Sequence, residues 1–296
     1  MTEPVSWDLY RSFLAVIRQG SLSGAAREIG ATQPTLGRHV ETLEAALGLS
    51  LFTRSQGGLR PTPAALALVP QARAMEAAAA ALRRGADGAR AEEGGTVRIS
   101  ASEIMGAEVL PAILARVQES HPALRLELSL SNRTDDLLRR DADIAVRMVR
   151  PTQDALIAQR LGEVRLGLHA HERYIARHGA PATLAELARF HVIGFDRDDH
   201  SARAILKTGF PISRDDFSFR SDSDLAQLAA LRAGAGIGMC QLGLAARDPQ
   251  LRPVLPEAAT FRLEVWLAMH EDQRASRPVR TVFDGLAAGL RLWVAG

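Results

Sequence analysis

Apolar side chains recur along the start of the chain at helical spacing, and glycine breaks the pattern at each turn. Leu9, Phe13 and Val16 or Ile17 repeat over residues 8 to 19, and Gly20 ends the run, which predicts a short amphipathic helix. A second helix opens at Ser21 or Ser23, whose hydroxyls can take up free backbone N–H groups. It buries Leu22, Ala25, Ala26 and Ile29 and stops at Gly30. A third starts at Thr32, carries Gln33 and Pro34 in its first turn, and aligns Leu36, Val40, Leu43 and Leu47 as one buried stripe. At roughly 100° per residue, Pro34, Arg38 and Glu41 lie opposite that stripe, with Thr35 and Thr42 beside them and Gln33 at the exposed end. Two helices joined by a tight glycine turn, the second offering polar first-turn residues, make the helix-turn-helix arrangement that enters a major groove. Taken alone, the same stretch also fits a plain three-helix bundle.

The segment LFTRSQGGLRP at 51 to 61 reads as two short strands around Gly57 and Gly58, carrying Arg54 and Arg60 beside the helices. Such a hairpin serves as a wing on the phosphate backbone. Charge is nearly balanced over residues 1 to 65: Arg11, Arg18, Arg27, Arg38, Arg54 and Arg60 stand against Glu3, Asp8, Glu28, Glu41 and Glu44. One such unit binds a duplex weakly, so several are expected to act together in a dimer or larger assembly.

The run FLAVIRQGSLSGAAREIGATQPTLGRHVETLEAALGLSLFTRSQGGLRPTPAA resembles the N-terminal signature of LysR-type transcriptional regulators. Its phenylalanine, Gly-Ser, Ala-Ala, Gln-Pro, Arg-His, Leu-Glu, Leu-Gly and Leu-Phe-x-Arg landmarks occur in order. Two departures stand out: Gly37 where the family usually has serine, and Ala65 where it usually has glycine. Gly37 removes a hydroxyl from the groove face and costs about 1 kcal/mol of helix propensity. The resemblance implies that Gln33, Pro34, Thr35 and Arg38 face base edges while Thr32, His39 and Arg54 hold phosphates. A solvated helix position accounts for His39 equally well.

Thr62 and Pro63 repeat the cap-then-proline start, and the alanine-rich run behind them places Leu68, Ala72, Met75, Ala79 and Leu82 on one face. That face either packs on its own chain's core or seeks another helix; the family resemblance implies antiparallel pairing with a second subunit. Pro70 should kink or weaken the early turns, and Gly85, Gly88, Gly94 and Gly95 should make a flexible junction. Beyond it the period changes. TVRISA at 96 to 101, LRLELSL at 124 to 130 and DIAVRM read as strands, with helical patterns around Val109 to Val117 and over 135 to 140. A second set runs from VRLGLHA near 164 through VIGF at 192 and DLAQLAALRAGAG to GIGMCQL, and LEVWLAM at 263 to 269 precedes a last helix at 279 to 292. Strand–helix alternation implies a mostly parallel sheet. The order resembles the regulator family's effector domain, two α/β lobes like those of periplasmic binding proteins.

The fold class expected is therefore α/β with an all-α N-terminal head. Residues 1–61 form a winged helix-turn-helix, 62–93 a linker and dimerisation helix, and 94–296 an effector domain. On the family analogy lobe one takes 96–163 and 264–296, and lobe two takes 164–263.

Parallel sheets bind ligands beyond the carboxyl ends of their strands, where helix N-termini offer free N–H groups. Ser102 follows the first strand, Asn132 and Thr134 open the helix after the second, and Ser221 with Asp222 opens the helix of lobe two. Each also suits a plain N-cap. With Arg147 at a strand end and Phe195 after VIGF they define an effector cleft between the lobes, where the family binds its inducer. Arg147 points to a carboxylate on the ligand; Glu103, Asp135, Asp136 and Asp222 point to an amine or to pairing with Arg147.

Composition narrows the classes. The 296 residues at 47% hydrophobic suffice for several cores, and a net charge of +2 supplies no general attraction for polyanions. Lys207 is the only lysine, a chain-wide bias that reflects genome composition. The lone Cys240 and the opening MTEPVSWDLYRSF, which lacks a secretory pattern, point to the cytoplasm. Residues 64 to 82 are too interrupted by Pro70, Gln71, Arg73 and Glu76 to span a bilayer. His169, His171 and Glu172, and DRDDH at 196 to 200, offer metal ligands that solvated polar residues explain as well. RAGAGIGMCQLG carries Met239 where the dinucleotide fingerprint needs a third glycine, and no phosphate-gripping or serine-elbow motif occurs. The expectation is a non-enzymatic, cofactor-free regulator that binds double-stranded DNA and a small-molecule effector and forms a homodimer or homotetramer. The alternative is a cytoplasmic solute-binding protein whose N-terminal helices serve only dimerisation.

Overall fold

A computed structural model describes residues 5–55, 58–90, 94–132, 142–151, 156–196 and 213–296. Thr134, Asp135, Asp136, the helix expected over 135 to 140, Gly57 of the wing turn and most of DRDDH lie outside the described residues. The chain divides into two compact units, one built mainly from residues up to Ala86 and one from the remainder.

In the first unit, helices α1 (Trp7–Gln19), α2 (Leu22–Ile29) and α3 (Gln33–Leu47) begin at Ser6, Ser21 and Thr32, whose side chains accept from Asp8, Gly24 and Thr35 N–H. Strands β1 (Phe52–Ser55) and β2 (Gly58–Pro61) pair antiparallel, Thr53 opposite Arg60. The hairpin docks on the end of α1, where Leu59 N donates to Gly20 O at 2.8 Å. Gly58 is required there, since its φ is +117° and a Cβ would lie 2.5 Å from Gly20 O. Phe13, Leu14, Leu43 and Leu51 form one core and Ala15, Val16, Ala25, Ala26, Leu36 and Val40 another, so α1 is buried on two sides.

Helix α4 (Pro63–Arg90) starts where Thr62 Oγ1 accepts from Ala65 N at 3.1 Å. The flexible junction expected at Gly85 and Gly88 is not there: α4 runs through both, and through Pro70, before it ends. A single glycine costs a helix only about 1 kcal/mol, which flanking alanine and leucine offset. The expected seam divides. Ala72 is buried in the head's own core with Leu68 beside it, whereas Met75 and Leu82 stand exposed.

Among its described residues the second unit holds one nine-stranded sheet in the order β4-β3-β5-β11-β6-β9-β7-β8, with β10 also paired to β6. Its strands are β3 (Gly95–Ala101), β4 (Leu124–Leu130), β5 (Ile144–Arg147), β6 (Leu156–His171), β7 (Val192–Gly194), β8 (Phe217–Arg220), β9 (Ile237–Gln241), β10 (Leu251–Val254) and β11 (Thr260–His270). The mostly parallel sheet expected is mixed instead. β3 is parallel to β4 and β5, and β7 to β8 and β9, but β6 and β11 pair antiparallel through the middle. These two long strands belong to both lobes. Their register shifts between Val265 and Trp266, opposite Gly162, where a Cβ would lie 2.6 Å from Val294 Cγ2.

Among the described residues five helices cover the sheet: α5 (Leu110–Ser120), α6 (Glu172–His178), α7 (Asp224–Arg232), α8 (Leu242–Ala245) and α9 (Arg277–Ala295). A π-helical turn, Met105–Val109, precedes α5. It adds a residue just ahead of Pro111, whose ring would clash with a carbonyl in an ordinary α turn. Val97, Ile99, Ile144, Leu267, Val282 and Leu286 of lobe one share a core with Leu228, Leu231, Cys240 and Leu244 of lobe two, while Leu168, Tyr174, Leu187, Val192 and Ile237 form lobe two's own.

Candidate nucleic-acid interface and ligand cleft

The amphipathic spacing of α3 sorts its side chains. Leu36, Val40 and Leu43 are buried, and Thr32, Gln33, Pro34 and Arg38 are exposed, with Thr35 half-buried beside them. Thr32 and Thr35 hydroxyls lie 2.8 Å apart, and Thr42 Oγ1 donates to Arg38 O at 2.8 Å, so the threonines brace the helix that presents Gln33 and Arg38. Arg54 and Arg60 are exposed on the wing. His39 has a role in the fold that periodicity did not reveal: its Nδ1 lies 2.7 Å from Oγ of the fully buried Ser12 on α1. Nor did spacing reveal Glu44, whose Oε1 accepts from Leu51 N and Phe52 N and ties the wing to α3. Arg18 is bound to Glu28 and Glu76 and faces α2 and α4.

In the second unit the elements bring most of the predicted cleft residues to one seam between the lobes. Ser102 follows β3, its N–H donating to Val146 O at 3.3 Å, and its Oγ is buried without a hydrogen-bond partner. Asn132 accepts from Glu103 N at 3.1 Å and donates across the seam to Asp224 Oδ2 at 3.0 Å. Ser221 N donates to Gly194 O, and Asp196 N, next to the half-buried Phe195, donates to Asp222 Oδ1 at 3.1 Å, so Phe195, Ser221 and Asp222 form one corner. Ser221 and Asp222 do not open the helix, as was expected of them. The cap of α7 is Ser223, which accepts from Ala226 N, while Ser221 Oγ accepts from Ser223 N. A run of Ser-Asp-Ser-Asp holds more than one residue suited to a cap, and spacing alone does not choose among them.

Arg147 closes β5 as a buried side chain. It is 5% exposed and donates to Ser100 Oγ at 2.7 Å and Val146 O at 3.0 Å. The seam carries cross-lobe residues that periodicity does not disclose. Arg232 grips Glu108 with two hydrogen bonds of 2.7 and 2.9 Å and lies 3.6 Å from Asp248. That grip holds the Glu108 carboxyl below the usual carboxylate range. Gln241, at the end of β9, donates to Met105 Sδ at 3.7 Å and leaves its Oε1 buried and unpaired.

His169 and His171 are both buried. Nδ1 of His169 contacts Gly167 O, and Nδ1 of His171 caps α6 by accepting from Arg173 N. Among the described residues no group of three or more His, Cys, Asp or Glu is placed to hold a metal ion, and no helix is long and apolar enough to cross a membrane.

Comparison with known proteins places these two units. Residues 7–66 match the bacterial regulatory helix-turn-helix protein, lysR family, and residues 90–291 match the LysR substrate binding domain. A probable HTH-type transcriptional regulator LtrA from Klebsiella pneumoniae is 24% identical over 93% of this chain and 92% of its own. An HTH-type transcriptional regulator from Xanthomonas campestris is 30% identical over 60% of this chain, and the match spans 52% of that protein. The mau operon transcriptional activator of Paracoccus denitrificans, 32% identical, is spanned over 58% of its length. Among solved structures, CrgA from Neisseria meningitidis is similar with TM-score 0.59 at 23% identity, covering 98% of this chain and 99% of that one. CbnR, described as a LysR family transcriptional regulator, is similar with TM-score 0.69 at 18% identity over 96% of this chain and 99% of that one. These structural likenesses speak for the fold alone. With both family descriptions matched in order along its length, the chain belongs to the LysR family of transcriptional regulators.

Proposed function

We propose that this chain is a DNA-binding transcriptional regulator in which a small molecule, bound between the two α/β lobes, controls how paired heads sit on their operator. The observation that carries the reading is the division of α3, three buried apolar residues on one face and Gln33, Pro34 and Arg38 exposed on the other, beside a wing with two exposed arginines. Gln33, Pro34, Thr35 and Arg38 read base edges, and Thr32, His39 and Arg54 hold phosphates. CbnR has been solved in complex with its target DNA, and this chain matches that structure with TM-score 0.66. Met75 and Leu82 on α4 supply the surface for a homodimer or homotetramer, which gives two weak heads a joint affinity.

The effector cleft draws on Ser102, Asn132, Thr134, Arg147, Phe195, Ser221 and Asp222. Its support is the buried, unpartnered Ser102 Oγ, a donor that a bound molecule would satisfy. No turnover of that molecule belongs to this reading, and the protein acts in the cytoplasm. A gel shift against genomic fragments tests the head: Arg38→Ala should weaken binding by about 1–3 kcal/mol at the sites it reads. Equal shifts for the variant and the parent protein would take the groove away from α3.

A further inference from the structure

Glu103 lies one residue beyond Ser102, in lobe one, yet its carboxylate sits on the first turn of α7 in lobe two. Oε2 accepts from Ser223 Oγ at 2.8 Å and from Leu225 N at 3.2 Å. A helix start attracts an anion because its first N–H groups lack partners and the helix dipole is positive there. In α7 the Ser223 side chain takes the N–H of Ala226, and Glu103 takes that of Leu225. The place a ligand carboxylate would choose is therefore filled by the chain's own. Asn132 reinforces the bridge by accepting from Glu103 N while donating to Asp224.

Among the described residues, two buried polar atoms at the same seam have no partner. One is Ser102 Oγ, adjacent to Glu103 in sequence. The other is Oε1 of Gln241, a lobe-two residue 6% exposed whose amide reaches Met105 in lobe one. Buried polar atoms are nearly always paired, so this seam offers hydrogen bonds to something beyond the chain itself.

We propose that Glu103 is an internal stand-in for the effector's carboxylate: it latches the lobes through the α7 N-terminus, and a carboxylate ligand binds by taking its place. The inference rests on the reading of the cleft as a ligand site and gives that ligand a class, a small carboxylate. Binding exchanges one anion for another on the same two donors. The Glu103 side chain is released to solvent, and the bridge it made between lobes is replaced by the ligand's own contacts, including those to Ser102 and Gln241. Ligand affinity is thereby set by a competition that Glu103 controls.

Chemical rescue tests the latch on the full chain with neither DNA nor effector present. In Glu103→Ala, amide exchange of the first turn of α7 should rise about tenfold, the loss expected for one charge-assisted hydrogen bond, with α9 unchanged as internal reference. Acetate should restore the protection, and sodium chloride at equal ionic strength should not. Glu103→Gln, which keeps an acceptor but no charge, should fall between the two and guards against a variant that fails to fold. Unchanged exchange in Glu103→Ala, or equal responses to acetate and chloride, would overturn the proposal. Neither outcome depends on the gel shift, so failure of the latch and failure of the DNA reading remain distinct.

Discussion

The hydroxyl of Ser12 and Nδ1 of His39 meet at 2.7 Å, joining α1 to the helix that carries Arg38. Ser12 is fully buried and His39 half-exposed, which makes the two ends unequal. Removing the imidazole leaves a buried hydroxyl without a partner, whereas removing the hydroxyl leaves a ring that water can still reach. His39→Ala should therefore cost about 1–3 kcal/mol of head stability and Ser12→Ala much less, read as shifts in urea midpoint. If His39 also holds a phosphate, His39→Ala alone should reduce the salt slope of DNA binding, by about 1.

Gly37 occupies the middle of α3 with room around it. A Cβ built there meets only Leu22 Cδ1, at 3.8 Å, an ordinary contact. Serine in its place should stabilise the head by roughly 0.5 kcal/mol through helix propensity alone. It also places a hydroxyl on the proposed groove face. Thermal unfolding should register the gain, and selection of bound genomic fragments should show a changed operator preference with affinity for bulk DNA unaltered. A lower melting temperature would mean that α3 does not tolerate a side chain at this point.

The head was legible because its signals are local. Caps, glycine stops and the 3.6-residue period each lie within one element, and α1, α2, α3, the wing and the start of α4 follow from them. Gly85 and Gly88 misled because a glycine's cost is small against the propensity of its neighbours. Lobe two was read less completely: β8 and β10 are four residues each, too short for a period to show. The first half of β6 was missed as well, and with it the antiparallel pairing with β11 that makes the sheet mixed. The seam was the least legible part. Glu103 and Ser223 are separated by 120 residues and Glu108 and Arg232 by 124, and no local pattern pairs side chains so far apart.

Met75 and Leu82 are separated by two helical turns on α4 and are 40% and 74% exposed. Large apolar side chains repeating every seven residues suit the seam of a coiled pair. Leu82→Glu should shift the sedimentation of the protein toward the monomer. DNA affinity should fall about a hundredfold or more with it, since two heads no longer act jointly. An unchanged oligomer would move the proposed interface off α4.

Burial pushes the Cys240 thiol up to about 11. The thiolate is the reactive form, so at about pH 8 only about one molecule in a thousand carries it. Native protein should resist alkylation by iodoacetamide for hours, and urea should release full labelling. Rapid native labelling would show that the shared core of the two lobes opens often enough to expose β9.

His169 should make lobe two sensitive to acid. Burial holds its imidazole below the ordinary value of 6.5, with the bond to Gly167 O opposing the shift. As pH falls through that value, the unfolded chain takes up a proton that the folded chain refuses, so stability is complete above it and declines on acidification. The Glu108 carboxyl, held down by Arg232, acts in a separate and more acidic window, losing its contribution only as pH falls from 4.5 toward its lowered folded value. Urea midpoints measured from about pH 8 to about pH 5.5 should therefore fall in the parent protein and stay nearly flat in His169→Gln, whose side chain takes up no proton there. Parallel curves for the two proteins would assign the sensitivity to another group, and a curve that rises on acidification would reverse the sign of the His169 shift.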